Sequence, residues 1–234
     1  MRPPAGLRVK GERFGYVDGN GTRRFRSDGE GAAYGGKYLD GTYRSLSSEG
    51  RHAAREYSRD GRPYSYILRV KDPQAELDRM LGVPRDRQAL ITTFGKVPTL
   101  DDVYGRIAIL DGSFRPLPEG LEALRGINSI DYVKGYDGAD PESLIGLTHT
   151  DDGYTSTSLG RTVVPTTPHP IRYVVHLDIP RGHPALWIGR HAIHPEQREL
   201  LLPRKVGYTF TNVVPRGDGT YDLFADVHRG GSTG

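Results

Sequence analysis

Three short segments hold side chains that packing alone does not call for. Leu121-Glu122-Ala123-Leu124-Arg125-Gly126 is a short apolar strand that closes on an arginine followed by glycine. Gly153-Tyr154-Thr155-Ser156-Thr157-Ser158-Leu159 is a hydroxyl-rich strand entered through glycine. In Pro195-Glu196-Gln197-Arg198-Glu199, Gln197 and Glu199 stand two residues apart, just before the apolar run Leu200-Leu201-Leu202. On an extended chain that spacing puts both side chains on one face. An arginine offers a rigid fork of donors for anionic oxygens. A carboxylate steadies positive charge that develops beside it in a transition state, and an amide can hydrogen-bond without adding charge.

Other chemistries lack their residues. The chain has no cysteine, which removes disulfides, thiolate nucleophiles, iron–sulfur clusters and cysteine-type zinc sites. No Gly-rich dinucleotide fingerprint, Walker loop or Gly-x-Ser-x-Gly elbow occurs. His169, His176, His183, His191 and His194 fall close together, but their spacing matches no standard ligand pattern, so no metal is expected.

Taken in order, the three segments resemble the Arg–Ser–Glu class of mono-ADP-ribosyltransferases, the bacterial toxin-like exoenzymes. That family shows an Arg-Gly at the end of its first strand, a Ser-Thr-Ser strand, and a Glu or Gln two residues before its catalytic Glu. Here 31 residues separate Arg125 from Ser156 and 43 separate Ser156 from Glu199. The flanks agree too, with Pro116-Leu117-Pro118-Glu119-Gly120 leading into the first segment and Asp140-Pro141-Glu142-Ser143-Leu144-Ile145-Gly146 into the second. The resemblance covers roughly residues 30–228 and is sharpest over 117–206.

The resemblance implies an NAD-dependent enzyme that moves ADP-ribose to a macromolecular acceptor and releases nicotinamide. NAD is then the substrate, and no metal is involved. Glu199 would stabilise the oxocarbenium-like ribose and touch its hydroxyl, as a carboxylate does in glycoside hydrolysis. Arg125 and Gly126 would take the diphosphate. Ser156 would hydrogen-bond in the nicotinamide pocket and hold the neighbouring strands, and Thr157 and Ser158 would complete that NAD-binding motif and brace Glu199, with ordinary strand packing the alternative for both. Tyr154 would stack near the nicotinamide or serve as a core tyrosine. Gln197, with His194, His191 and Glu196 beside it, would face the acceptor; solvent is the alternative for both histidines, and a slipped loop would present Glu196 instead. Family members that modify arginine carry Glu where Gln197 stands, so arginine is disfavoured. An Asn or Gln side chain, or guanine in nucleic acid, is expected. An NAD glycohydrolase, and a pseudoenzyme that binds NAD or nucleic acid, remain as alternatives. A toxin or effector secreted or injected into a target cell is the expected setting, as a monomer, with room for an immunity protein.

The elements that must position these residues form an α+β pattern, a helical N-terminal half packed on a β-sandwich-like core. Helices are expected over Ala32–Leu39, from Ser47 or Ser48 through Tyr57, over Gln74–Leu81 and over Leu100–Leu110. The alternation of Ile171, Tyr173, Val175, Leu177 and Ile179 marks a strand. Further strands are read at Ala185–Ile188, Glu199–Leu202, Val206–Val214 and Tyr221–Val227. Asp18-Gly19-Asn20-Gly21 signals a turn, so residues 1–30, as a hairpin or a linker, read as an N-terminal appendage ahead of a domain over 31–234. The 234 residues include 31 glycines and carry a net charge of +3. Up to Lys71 there are 15 basic and 8 acidic side chains. Arg23-Arg24-Phe25-Arg26 is the densest basic cluster, a phosphate-contacting patch or a solvated surface. No apolar stretch is long enough to span a membrane.

Overall fold

The computed structural model describes residues 14–138, 140–165 and 170–228. Its helices are α1 (Asp28–Tyr34), α2 (Asp40–Arg44), α3 (Ser48–Arg59), α4 (Arg62–Arg69), α5 (Pro73–Gly82), α6 (Pro84–Phe94) and α7 (Leu100–Asp111), with a π-helical turn over Gly35–Leu39. Its strands are β1 (Tyr16–Val17), β2 (Thr22–Arg24), β3 (Arg115–Pro116), β4 (Gly120–Ile127), β5 (Thr148–Asp151), β6 (Thr155–Ser158), β7 (Tyr173–Ile179), β8 (Pro184–Trp187), β9 (Glu199–Leu202), β10 (Val206–Pro215) and β11 (Tyr221–Val227). Capping side chains set several helix starts. Ser47 accepts from the Gly50 amide, Asp72 from Ala75, and Thr99 and Asp102 complete a reciprocal box.

The sheet runs β3-β8-β9-β6-β4-β7-β11-β10-β5, in two arms. They meet at one register pair, Leu124 opposite Ser158. The inward faces of both arms share one core with Phe25, Tyr34 and Leu39, as the sandwich reading expects. A second core joins α3–α7 to the outer face of the shorter arm through Tyr154, Leu186, Ile188 and Leu201. Leu200 and Leu202 point into the first core and Leu201 into the second, so β9 is buried on both faces and reads as a continuous apolar run.

The start of the chain departs from expectation. The Asp18–Gly21 turn does join a hairpin, with Tyr16 opposite Arg24. Yet residues 14–30 are no appendage: β2 pairs in parallel with β4, and Phe25 is buried in the main core. The basic cluster is spent on ion pairs with the rest of the chain, Arg23 and Arg24 partly buried and Arg26 at the surface. Arg23 pairs with Glu119, Arg24 with Asp18, Glu122 and Asp178, and Arg26 with Glu30. His176 bridges Glu122 and Asp222 on the outer face of the sheet. Burial opposes its charge, yet those two carboxylates hold the imidazole above its ordinary value. His169 lies outside the described residues, and no group of metal-ligating side chains gathers among the described ones.

Candidate active site

The register of β6 against β9 sets the centre. Ser158 stands opposite Glu199 and Ser156 opposite Leu201, so both serines and Glu199 share one face. Ser156 Oγ donates to Glu199 Oε1 at 2.7 Å. Tyr57, from α3, lies 3.3 Å from the same Oγ. Since the serine has one proton and gives it to Glu199, the Tyr57 hydroxyl is the donor in that contact. Thr157 fastens the two strands from the opposite face, its hydroxyl donating to the Leu200 carbonyl at 2.6 Å.

Glu199 is only 4% exposed, and its Oε2 has no hydrogen-bond partner. Burial raises its pKa from 4.5 to about 7, against the opposing hydrogen bond from Ser156. Burial and the nearby Glu199 charge raise the Tyr57 phenol to about 12.

A second charged group lies at the other side of the cleft. Arg125, near the end of β4, donates from Nη2 to Asp151 Oδ2 at 3.2 Å. Arg69, at the end of α4, grips the same carboxylate from Nε at 2.9 Å and from Nη2 at 2.7 and 2.9 Å. Asp151 also accepts from the Gly153 amide at 3.0 Å. Two arginines from opposite halves of the chain thus converge on one buried acid.

The cleft between these groups has a volume of about 210 Å³. Arg125, Gly126, Ser156, Thr157, Ser158, Gln197 and Glu199 all line it, as does Tyr154. A Cβ at Gly126 would come within 2.8 Å of the terminal methyl of Ile171, so a side chain there would have to push that methyl aside. Tyr154 is a core tyrosine, 1% exposed, with its hydroxyl donating to Asp111 Oδ1 at 2.8 Å and lying 3.1 Å from Ile107 O.

Gln197 reaches the cleft by a route that strand periodicity does not describe. It closes a short 3₁₀ turn, Pro195–Gln197, and Arg198 follows at φ 50°, so the chain is not extended between Gln197 and Glu199. Of the other residues expected on the acceptor side, His191 stacks on Tyr43 at 4.1 Å and contacts Asp40 at 2.6 Å. His194 and Glu196 face solvent 3.4 Å from each other. None of these three lines the cleft. Tyr57, Ser65, Arg69 and Asp151 escaped the sequence reading. Ser65 and Arg69 stand at i and i+4 on α4, which puts both on one helix face.

The family model for the ADP-ribosyltransferase exoenzyme matches residues 107–225. The chain belongs to the ADP-ribosyltransferase exoenzyme family. The exoenzyme match takes in Arg125, Ser156, Gln197 and Glu199 together. Among curated proteins the chain has no significant sequence match. Among solved structures its fold is similar to C3stau2 of S. aureus, solved with NAD, at 18% identity and a TM-score of 0.67 over 90% of this chain and 100% of that one. The Clostridium limosum C3 exoenzyme follows at 20% identity and TM-score 0.64, covering 89% of this chain and 98% of its own. Plx2a, an ADP-ribosyltransferase toxin from Paenibacillus larvae, gives 20% identity and TM-score 0.63, with 86% of this chain and 96% of the other covered. The α+β exoenzyme fold read from the sequence is therefore the fold of this chain.

Proposed function

We propose that this exoenzyme transfers a single ADP-ribose from NAD to a macromolecular acceptor other than arginine, as a toxin or effector acting in another cell. What carries the reading is the Ser156–Glu199 contact and the Arg69–Asp151–Arg125 group at one cleft of about 210 Å³. The dinucleotide's two charged regions want opposite partners. Arg125 and Arg69 suit the diphosphate, and Glu199 suits the ribose next to the nicotinamide.

When the glycosidic bond breaks, its electron pair leaves with the nicotinamide nitrogen and positive charge remains on the sugar. Ionised Glu199, itself buried, stabilises that charge where it appears. Ser156 fixes one carboxylate oxygen and leaves Oε2 free for the ribose. The acceptor then attacks the sugar carbon and gives up a proton. Gln197, at the cleft wall, meets that acceptor with a neutral amide, suited to another amide or to a guanine edge and not to a guanidinium.

The test is label transfer from adenylate-labelled NAD into a whole-cell extract, with Glu199→Ala protein in parallel. Label removed by protease means a protein acceptor, and label removed only by nuclease means nucleic acid. Free ADP-ribose without macromolecular label means that water is the acceptor. NAD left intact by wild type and variant alike would overturn the enzymatic reading.

A further inference from the structure

The residue between Gln197 and Glu199 has an arrangement that catalysis as described does not use. Arg198 is 8% exposed and sits at φ 50°, a backbone conformation unfavourable for a residue with a side chain. Its guanidinium is divided among three segments. Nε donates to the Leu159 carbonyl at 2.8 Å, Nη1 to the Glu196 carbonyl at 2.6 Å and Nη2 to the Thr162 carbonyl at 2.7 Å. Nη2 also lies 3.3 Å from Asp28 Oδ1, at the start of α1. The main chain adds a bond from the Leu159 amide to the Arg198 carbonyl at 3.1 Å.

Asp28 completes the junction. It accepts from the Arg161 amide at 2.7 Å and the Thr162 amide at 3.0 Å, and its Oδ2 accepts from the Thr162 hydroxyl. Gly160 lets the loop pass, since a Cβ there would come within 2.5 Å of Asp28 Oδ1. The next two residues, Val163 and Val164, line the cleft, as Gln197 does. One guanidinium thus couples the segment that carries Gln197 and Glu199 to the segment that carries the two valines.

We infer that Arg198 is a positioning residue, whose side chain locks both cleft walls into one unit and so holds Gln197 where an acceptor must meet the activated ribose. The inference rests on the proposed ADP-ribosyl transfer. Lysine cannot do this, because a single ammonium cannot reach three carbonyls in a plane. Without the lock, the Gln197 turn and the loop after β6 move independently, and water reaches the activated ribose in place of the acceptor.

The experiment compares wild type with Arg198→Lys and Arg198→Gly. Glycine relieves the positive φ and removes only the side chain's ties, while lysine keeps the charge and removes the fork. Two readouts are taken: amide hydrogen exchange over 159–165 and 195–199, and the ratio of ADP-ribose transferred to acceptor over free ADP-ribose. Both variants should speed exchange in the two segments together, with α3 and α7 unchanged. They should lower the transfer ratio about fivefold or more while the KM for NAD stays within about twofold, the mark of a residue that acts on orientation and not on substrate binding. Asp28→Asn, which leaves Arg198 in place, should move both readouts in the same direction by less. Unchanged exchange in both segments, or a transfer ratio kept by either Arg198 variant, overturns the inference. If wild type releases no nicotinamide, the proposed function fails, and the exchange measurement alone decides whether Arg198 forms the lock.

Discussion

The two ends of the cleft treat their acidic side chains in opposite ways. Asp151 is surrounded by donors, two arginines and a backbone amide, and its charge is fully answered inside the protein. Glu199 has one hydroxyl partner, an unpartnered Oε2 and, among the described residues, no ion pair. A carboxylate so placed is costly to ionise in the free protein and gains most when positive charge arrives beside it. The first acid organises two arginines for an anion, and the second waits for a cation. That difference matches a substrate carrying a diphosphate at one end and a developing ribosyl cation at the other.

The largest effect should come from removing the waiting charge. Glu199→Gln keeps the shape and loses the carboxylate, and nicotinamide release should fall by about 10³-fold or more. The same variant should reveal the cost of the charge. The folded-state value of about 7 lies above the unfolded value of 4.5, so folded wild type holds the proton across that interval and loses stability as pH rises through it. Denaturant titrations at pH 5 and pH 8 should show the glutamine variant gaining about 3 kcal/mol on wild type over that range. In activity the sign reverses: wild-type kcat/KM should rise with pH up to about 7, following ionisation of Glu199.

Next comes the answered charge. Asp151→Asn leaves Arg125 in a buried site without its counter-ion, and stability should drop by about 3 kcal/mol. The KM for NAD should rise about tenfold because the two arginines lose their common anchor. A stable variant with an unchanged KM would erase the contrast between the two ends. Ser156→Ala sharpens it instead. Glu199 then loses its remaining hydrogen bond, and the acidic limb of the pH–rate profile should move up by about one pH unit. Tyr57→Phe removes a longer contact one step further out, and a rate change of about two- to fivefold is expected.

How much of this was legible in the sequence followed the origin of each residue. Arg125, Ser156, Gln197 and Glu199 sit on or beside short strands whose residue types are unusual, and each can be found from its immediate neighbours. Tyr57, Ser65, Arg69 and Asp151 owe their place to the packing of α3, α4 and β5 against the sheet, which no local window contains. Three of the four expected helices, α3, α5 and α7, carry caps or apolar faces readable in place. The fourth is continued through a π-helical turn where Gly35 packs on the Trp187 ring, a contact made across the fold. α4 and α6 were missed because each has a proline in its first two residues and no capping side chain ahead of it, so the proline reads equally well as a break, whereas Asp72 marks the start of α5. β5 was missed because it is a short polar edge strand. Strand alternation also gave the wrong route for Gln197, since a left-handed Arg198 breaks the period.

The seam between the sheet arms adds a mechanical consequence. Leu124 opposite Ser158 is the one ladder pair that joins β4 to β6 among the described residues. Arg125 stands on one side of that seam, and Ser156 and Glu199 on the other. A ligand gripped at both ends therefore becomes a strut across the weakest line of the sheet. Saturation with a non-reactive dinucleotide should raise the melting temperature as mass action requires, by about 2.7 kcal/mol of added stability at one hundred times its Kd. Slowed amide exchange should concentrate along Leu124 and Ser158, making the seam a strain gauge for occupancy.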